Sequence, residues 1–151
     1  MNSLLLSPLP ALILSLLASR NGVAADLPAG KAAFTAFTAC TSCHQIGPDA
    51  RNAFGPQLNG LFGRPAGSVA GYGYSAAMKN SKIVWNEQTL AAFIRNPDRT
   101  VPVTKMRFFS LGFGDQKIAD LLAYLRTFPA AEPARSRASE AVIPNSALKT
   151  R

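Results

Sequence analysis

The chain has few of the residues on which most catalytic and metal centres depend. Its 151 residues include only two cysteines and one histidine, and only 8 aspartates and glutamates against 16 lysines and arginines. A structural zinc site normally uses about four Cys, His or carboxylate ligands. All three Cys and His residues fall in one short segment, so no second cluster is left to complete such a site.

The positive charge is not arranged for nucleic acid. The net charge is +8, yet the sequence contains no run of lysines and arginines and no basic stripe interleaved with aromatic residues. Scattered basic charge suits electrostatic steering towards an acidic protein, although a solvated basic surface gives the same composition. We therefore expect no nucleic-acid partner, and we leave transient contact with an anionic membrane surface open.

Long hydrophobic runs are absent except near the start of the chain. Residues 4–18 are apolar apart from two serines and two prolines, which is too short and interrupted for a transmembrane helix. Small residues follow at Val23-Ala24-Ala25, which predicts a signal peptide over residues 1–25 with cleavage after Ala25. No basic residue precedes the run and Arg20 follows it, so an uncleaved anchor is the alternative.

The segment Cys40-Thr41-Ser42-Cys43-His44 holds both cysteines and the histidine. Its C-x-x-C-H pattern is that of c-type haem attachment, in which each thiol adds to a haem vinyl group and the histidine reaches the iron. A redox dithiol or half a zinc site would use the same residues. The first needs a βαβ context and the second needs further ligands, and neither surrounds this segment.

Helical patterns predict an all-α domain. An Ala-rich segment with Phe34 and Phe37 one turn apart predicts a helix over residues 30–40. Asn86 is a good N-cap for a second helix, which Asn96-Pro97 should end. Asp115 can cap a third helix, after which Pro129 ends the regular structure. An apolar stripe marks that third helix, at Ile118, Leu121, Leu122, Leu125 and Phe128.

The remaining sequence consists of loops and a polar tail. Glycine and proline are frequent from residue 47 to residue 73, so this stretch should be a long loop with something to enclose. Residues 129–151 are rich in Ala, Pro and Ser without a stripe, which predicts a disordered tail. We expect one domain over residues 26–128, with three main helices and long loops wrapped around one haem.

The iron needs a second axial ligand, and the chain has no second histidine. Methionine is the obvious alternative, and Met78 and Met106 remain once the signal peptide is removed. The segment Pro102-Val103-Thr104-Lys105-Met106 resembles the P-G-T-K-M ligand loop of class I cytochromes c. The resemblance covers about residues 30–128 and is densest at C-T-S-C-H (40–44), F-G-P-Q-L-N-G-L-F-G-R (54–64) and from residue 96 to T-K-M.

The resemblance implies a role for each matching residue. Cys40 and Cys43 would form the thioethers to one haem c, with His44 and Met106 as the axial ligands. Pro56 matches the proline whose carbonyl accepts a hydrogen bond from the ligand histidine, which orients the ring. Four further residues match those that hydrogen-bond or shield the haem propionates: Arg64, Tyr74, Trp85 and Thr104. Phe108 matches an aromatic residue that covers the haem near the ligand loop.

Three residues depart from the family pattern, all expected on the methionine side of the haem. Val103 replaces a glycine, so a loop that needs positive φ there should be strained or differ in conformation. Phe93 replaces a tyrosine and Met78 an asparagine, which should make this side drier and more apolar. The family's Gly-x-x-x-Phe start fits either Gly30/Phe34 or Ala33/Phe37. The cysteine spacing favours the second register.

The expected function is single-electron transfer rather than catalysis. A six-coordinate iron has no open position for a substrate, so the protein should be a periplasmic monomer that shuttles electrons between acidic redox partners, such as membrane oxidase, reductase or dehydrogenase complexes. A haem enzyme, or a gas- or peroxide-binding protein in which the methionine ligand is labile, is the alternative. The cations expected to steer docking are Lys79, Lys82, Lys105 and Arg107.

Overall fold

The computed structural model describes residues 24–36, 40–108 and 111–130. Regular structure in these residues is helical, apart from one isolated antiparallel bridge between Pro65 and Val84, so the predicted all-α class is confirmed. The predicted tail beyond residue 130, and residues 1–23 of the predicted signal peptide, lie outside the described residues. The elements are α1 (Leu27–Thr35), a 3₁₀ turn (Cys40–Ser42), α2 (Ala76–Asn80), α3 (Glu87–Arg95), α4 (Pro97–Thr100) and α5 (Asp115–Arg126).

Helices α1 and α5 come from opposite ends of the domain and make its most extensive helix-to-helix contact. The predicted stripe of α5 is buried at Ile118, Leu121 and Leu122, which form the core with Leu125. Burial of apolar side chains contributes roughly 25 cal/mol per Å², and this contact is the main apolar interface between helices. It brings the start of the domain against its last helix.

The crossing point of α1 and α5 corrects the predicted register. Gly30 lies directly against α5, where a Cβ would collide with the main-chain carbonyl of Asp120 and come within 2.8 Å of the Tyr124 Cβ. Phe34 packs on the Tyr124 ring at 6.0 Å between centroids. The Gly-x-x-x-Phe start is therefore Gly30/Phe34, and the preferred Ala33/Phe37 register was wrong, because the close approach admits only glycine. Phe37 lies outside the described residues.

Helix α1 also begins and ends earlier than predicted. Asp26 is its N-cap, with a side-chain oxygen 3.0 Å from the Ala29 N–H, and Pro28 follows in the first turn, where a missing N–H costs little. The helix ends at Thr35 with Ala36 as its C-cap, before the first cysteine. The cysteine is the first residue of the separate 3₁₀ turn.

The caps of α3, α4 and α5 show which local sequence signals locate the ends of a helix. Asn86 caps α3 through a reciprocal pair of bonds with Thr89, at 2.9 and 2.8 Å, as predicted. Asn96 ends α3 and then caps α4. Gly114, rather than Asp115, is the N-cap of α5. Asp115 is the first helical residue, where its carboxylate favours the helix dipole and bonds Arg95 at 2.6 Å.

Long loops occupy the space between the 3₁₀ turn and α3, interrupted by the short helix α2, which the sequence analysis missed. Asn59 holds this region together through its amide, which bonds the Gly47 N–H at 2.9 Å and the Gly47 carbonyl at 2.7 Å. Gly60 donates its N–H to the Phe128 carbonyl at 2.8 Å and lies against Ala130. Among the residues described, no helix is long and apolar enough to cross a membrane.

Candidate haem-binding site

The loops and helices enclose a cavity of about 370 Å³ with a mostly apolar wall. This volume lies at the lower end of the roughly 300–1,000 Å³ range of cofactor and small-molecule pockets. The wall draws on the 3₁₀ turn, the loops after it, α3, α5 and the segment between α4 and α5. It includes all ten residues singled out from the sequence: Cys40, Cys43, His44, Pro56, Arg64, Tyr74, Trp85, Thr104, Met106 and Phe108.

The imidazole of His44 is held in one orientation. Its Nδ1 lies 2.7 Å from the main-chain carbonyl oxygen of Pro56. A carbonyl can only accept, so Nδ1 carries the proton and Nε2 is left as a free lone pair. Burial lowers the pKa of His44, and the Pro56 carbonyl partly opposes that shift. The ring is therefore neutral at physiological pH, which is the form that binds a metal.

Gly55 permits this arrangement, and the sequence analysis did not single it out. A Cβ at this position would overlap the His44 ring, with 2.5 Å to Nδ1 and 2.8 Å to Nε2. Close approach of main chain to side chain is one of the few requirements that only glycine meets. The sequence signal that could have identified it is its position as the glycine directly before Pro56.

Cys40 opens the 3₁₀ turn, and Cys43 and His44 follow directly after it. The carbonyl of Cys40 accepts hydrogen bonds from the N–H groups of Cys43 and His44, at 3.1 and 2.8 Å, so the tight turn presents all three side chains together. Both thiols are free. Burial raises the pKa of Cys40 to about 11, and the neighbouring Cys43 adds to that shift. Cys40 is thus a protonated thiol against the cavity, and Cys43 is exposed at its mouth.

A methionine loop lies between α4 and α5. Thr104 is 2% exposed, and its Oγ1 lies 3.4 Å from the Met106 N–H. The half-buried Met106 lines the cavity. The loop begins with a turn in which Thr104 donates its N–H to the Val101 carbonyl at 3.1 Å. Pro102 and Val103 are its central residues.

Val103 adopts φ +63° and is 77% exposed. A turn with proline first and positive φ second normally has glycine at the second place. The loop has therefore kept the backbone conformation of a glycine despite the β-branched side chain, so of the two outcomes expected from the sequence, strain is the one observed. Such a residue costs roughly 1–2 kcal/mol.

One cation faces the cavity from the loop that carries Pro56. The Arg64 guanidinium donates to the carbonyls of Asn59 at 2.8 Å and Gln57 at 3.2 Å. Burial lowers the pKa of Arg64 and raises that of Tyr74, while their mutual interaction opposes both shifts. A half-buried guanidinium beside a phenol in an apolar wall is a suitable cradle for a carboxylate, because it offsets the cost of desolvation.

The chemistry of this wall can be tested against a haem. A covalent haem needs two thiols, a neutral imidazole with a free nitrogen, a soft ligand for the second axial position, an apolar slot and donors for the propionates. The residues described above supply each of these. The fit is satisfactory.

Comparison with known proteins agrees with this fit. Residues 28–129 match the family model described as cytochrome c. The chain belongs to the cytochrome c family. It is a c-type cytochrome that carries electrons on one covalently bound haem c.

Individual relatives cover most of the domain. Cytochrome c2 of Blastochloris viridis is 48% identical over 94 residues, which are 62% of this chain and 73% of that protein. Cytochrome c-550 of Nitrobacter winogradskyi is 45% identical over 103 residues, 68% of this chain and 91% of that protein. The solved structure of cytochrome cH from Methylobacterium extorquens is 35% identical with a TM-score of 0.58, covering 68% of this chain and 98% of that one.

The apolar part of the cytochrome cavity wall includes two of the substitutions noted in the sequence. Phe93 and Met78 are 6% and 7% exposed, and both line the cavity. Trp85 packs on Phe93 with ring centroids 5.2 Å apart. Phe108 packs edge-on against Phe113 at 5.1 Å. The substitutions noted in the sequence therefore place a phenyl ring and a thioether in the wall, as expected for a dry pocket.

One further residue at the mouth of the cytochrome cavity was not foreseen. Phe54 is 87% exposed, and its main-chain carbonyl accepts a hydrogen bond of 2.5 Å from the Tyr72 hydroxyl. Its neighbours are fixed as well, because the Gly55 N–H donates to the Cys43 carbonyl at 2.9 Å. No periodicity or motif in the sequence distinguishes an exposed loop phenylalanine from a buried one.

Proposed function

We propose that the protein is an exported, six-coordinate electron carrier in which His44 and Met106 bind the iron and Cys40 and Cys43 hold the haem. The observation that carries the proposal is the 2.7 Å bond between His44 Nδ1 and the Pro56 carbonyl. It leaves Nε2 deprotonated towards the cavity, whose wall also contains the Met106 thioether. When bound, the haem supplies an iron that alternates between the ferrous and ferric states.

The residues of the chain keep this chemistry restricted to electron transfer. His44 and Met106 would both bind the iron and would leave a substrate no coordination site, so we assign the protein no catalytic activity. The carbonyl of Pro56 and the cleft left by Gly55 fix the imidazole orientation in both oxidation states. The apolar wall around Phe93 and Met78 excludes water, which limits reorganisation when the charge changes.

Arg64, Tyr74, Trp85 and Thr104 are proposed to hold the haem propionates. Support comes from the Arg64 hydrogen bonds to the loop carbonyls, which fix the guanidinium in the wall. Trp85 is joined to the same residue through the main chain, because its main-chain N–H donates to the Arg64 carbonyl at 3.0 Å, and both side chains line the cavity. Phe108 is proposed to cover the haem next to the methionine loop.

Acidic redox proteins are the proposed partners. Support comes from Lys105 and Arg107, which line the cavity; Lys105 donates to the Gly73 carbonyl at 2.6 Å, and Arg107 is paired with Asp98 at 2.9 Å. Of the described residues, no aspartate or glutamate lines the cavity. Such a field speeds association and makes it depend on salt. Lys79 and Lys82 are exposed and would extend the same field.

The proposed compartment is the periplasm, with residues 1–25 removed as a signal peptide, residues 26–128 as the haem domain and residues 129–151 as a tail. In bacteria c-type haem is attached outside the cytoplasmic membrane, so export and this cofactor support each other. We propose a monomer, because weak transient complexes suit electron turnover.

The methionine ligand is tested by the weak far-red charge-transfer band of the oxidised protein. Met106→Leu should abolish the band, and the matched variant Met78→Leu should keep it, because both replace a thioether in the same cavity with a similar volume. Loss of the band with Met78→Leu alone would overturn the assignment of the axial ligand.

A second candidate function has one observation in its favour. The positive φ of Val103 strains the loop that carries Met106, so the methionine could give way to a small ligand such as CO, NO or peroxide. Addition of CO to the reduced protein at neutral pH distinguishes the two functions. Rapid, stoichiometric CO binding supports the second, and an unchanged spectrum supports the electron carrier.

A further inference from the structure

The main-chain N–H of Asp26 donates a hydrogen bond of 2.9 Å to Oδ1 of Asp120, across 94 residues of sequence. Asp120 is 5% exposed, and its other hydrogen-bond partner is the Gln116 side chain at 2.8 Å. In the described part of the chain, the ion pairs join Arg95 to Asp115, Arg107 to Asp98 and Arg126 to Glu87, so none of them serves Asp120.

A buried carboxylate that is bound only to neutral donors is unusual. Aspartate is almost never fully buried without a charged partner, and burying it costs free energy unless a cation or several donors compensate. Here the compensation is one amide N–H and one side-chain amide. A cation at the position of the Asp26 nitrogen would complete the site.

We propose that removal of the signal peptide after Ala25 makes the Asp26 nitrogen the free amino terminus, and that this ammonium group pairs with Asp120 to fasten α1 onto α5. In this step water hydrolyses the bond between the Ala25 carbonyl carbon and the Asp26 nitrogen, catalysed by a signal peptidase. The oxygen of the water becomes part of the new Ala25 carboxylate, and its two protons go to the Asp26 nitrogen, which becomes an ammonium group. The inference rests on the proposed export.

The local geometry favours this charge in spite of the helix dipole. A positive charge at the start of α1 is opposed by the partial positive charge of the helix N-terminus. Two carboxylates offset that effect: the Asp26 side chain, which caps the Ala29 N–H, and Asp120 at hydrogen-bond distance. The pair spans the junction next to Gly30, where α1 comes closest to α5.

Other charged groups on the two helices are engaged elsewhere or exposed. Asp115 and Arg126 form ion pairs outside this junction, and Lys117 lies over the Phe113 ring at 4.6 Å. Lys31 is exposed on α1, and Tyr124 packs against Phe34. Asp120 and the Asp26 carboxylate are thus the groups that act on the new terminus.

The pH dependence has a defined sign. Pairing with Asp120 raises the pKa of the amino terminus in the folded protein above the roughly 7.7–8.0 of an unperturbed α-amino group. The stabilisation is therefore complete below about pH 7.7 and is lost as the pH rises through the folded-state pKa. A plain hydrogen bond from an amide at this position would show no such dependence.

The test compares two forms of the full-length holoprotein, exported with its own signal peptide. One is the natural chain, and the other carries one extra alanine between Ala25 and Asp26, which keeps the amide N–H but moves the charge away. Intact mass establishes where each form begins. A natural chain that begins anywhere other than Asp26 overturns the proposal while leaving the electron-carrier function untouched.

Denaturant unfolding of the two forms then measures how much the ion pair between the Asp26 ammonium group and Asp120 stabilises the protein. At pH 6 we expect the natural form to have an unfolding equilibrium constant about tenfold smaller than the extended form, as for one pKa unit of differential interaction. The two should converge at pH 10. Asp120→Asn should remove the difference at pH 6, and the control Asp115→Asn, on the same helix, should retain it. Equal stability of the two forms at pH 6, or a difference that survives Asp120→Asn, refutes the ion pair.

Discussion

Replacement of Val103 by glycine should make the protein more stable, although a core or loop valine normally stabilises more than glycine does. The side chain is 77% exposed and its φ is +63°, so glycine removes little buried area and relieves the left-handed strain. That relief is worth roughly 1–2 kcal/mol. Against it stands the extra unfolded-state entropy of glycine, roughly 0.5–1 kcal/mol. The net expectation is a gain of about 0–1.5 kcal/mol, with a midpoint of about 0.75 kcal/mol.

The same gain in free energy should make the Met106 ligand harder to displace. If the strain belongs to the loop that holds Met106, its relief favours the closed loop over one opened by an added ligand. The midpoint gain of about 0.75 kcal/mol corresponds to roughly three- to fourfold weaker binding. Two measurements check this: the denaturant midpoint of the oxidised holoprotein, and an imidazole titration followed by loss of the far-red band.

Val84→Gly is the matched control for Val103→Gly. Val84 is also substantially exposed, at 50%, and it is not among the positive-φ residues, so glycine there brings the entropic loss and some loss of apolar contact, with no strain to relieve. We expect Val84→Gly to lower the free energy of unfolding and to leave imidazole binding unchanged. If Val103→Gly lowers stability as much as Val84→Gly does, the strain argument fails.

Three further changes address the cavity. Gly55→Ala should disrupt the iron site, because the added Cβ overlaps the His44 ring, and an unchanged haem spectrum and stability would contradict that contact. Phe93→Tyr should shift the midpoint potential by placing a hydroxyl in the dry wall, so an identical potential in redox titration would argue against its position at the haem. Burial raises the pKa of Tyr74, so its contribution to stability is complete below about pH 10 and is lost as the pH rises through the raised value. Tyr74→Phe should remove that alkaline component from a plot of unfolding free energy against pH, and an unaltered plot would contradict it.

Sequence patterns were most informative where one local interaction decides the structure. The Asn86 cap needs only Thr89 three residues later, and the stripe of α5 from Ile118 to Leu125 needs only helical periodicity; both were predicted correctly. Phe128 was placed in the same stripe, but the helix ends before it, at Arg126. The C-x-x-C-H segment likewise carries its own geometry, because the turn that closes on the Cys40 carbonyl brings both thiols and the imidazole together.

The errors arose where a distant segment decides. Local sequence makes Gly30/Phe34 and Ala33/Phe37 nearly equivalent, since the triplet Phe-Thr-Ala occurs twice in succession, at residues 34–36 and 37–39, and supplies a phenylalanine to each. The choice is made by α5, whose backbone at Asp120 leaves no room for a Cβ on α1. Asp115 was misassigned by one position: Gly114 is the N-cap, and Asp115 is the first helical residue, with its carboxylate bonded to Arg95.

The loop from Pro56 to Arg64 connects the residue that orients the histidine with the cation that faces the cavity. Pro56 accepts the His44 N–H, and the Arg64 guanidinium is anchored to the carbonyls of Gln57 and Asn59 in the same loop. A displacement of the guanidinium should therefore shift this loop and change the hydrogen bond between the Pro56 carbonyl and the His44 ring. The basicity of the His44 imidazole and the position of the Arg64 charge are therefore coupled through one loop. A mutation at Pro56 or at Arg64 should change both.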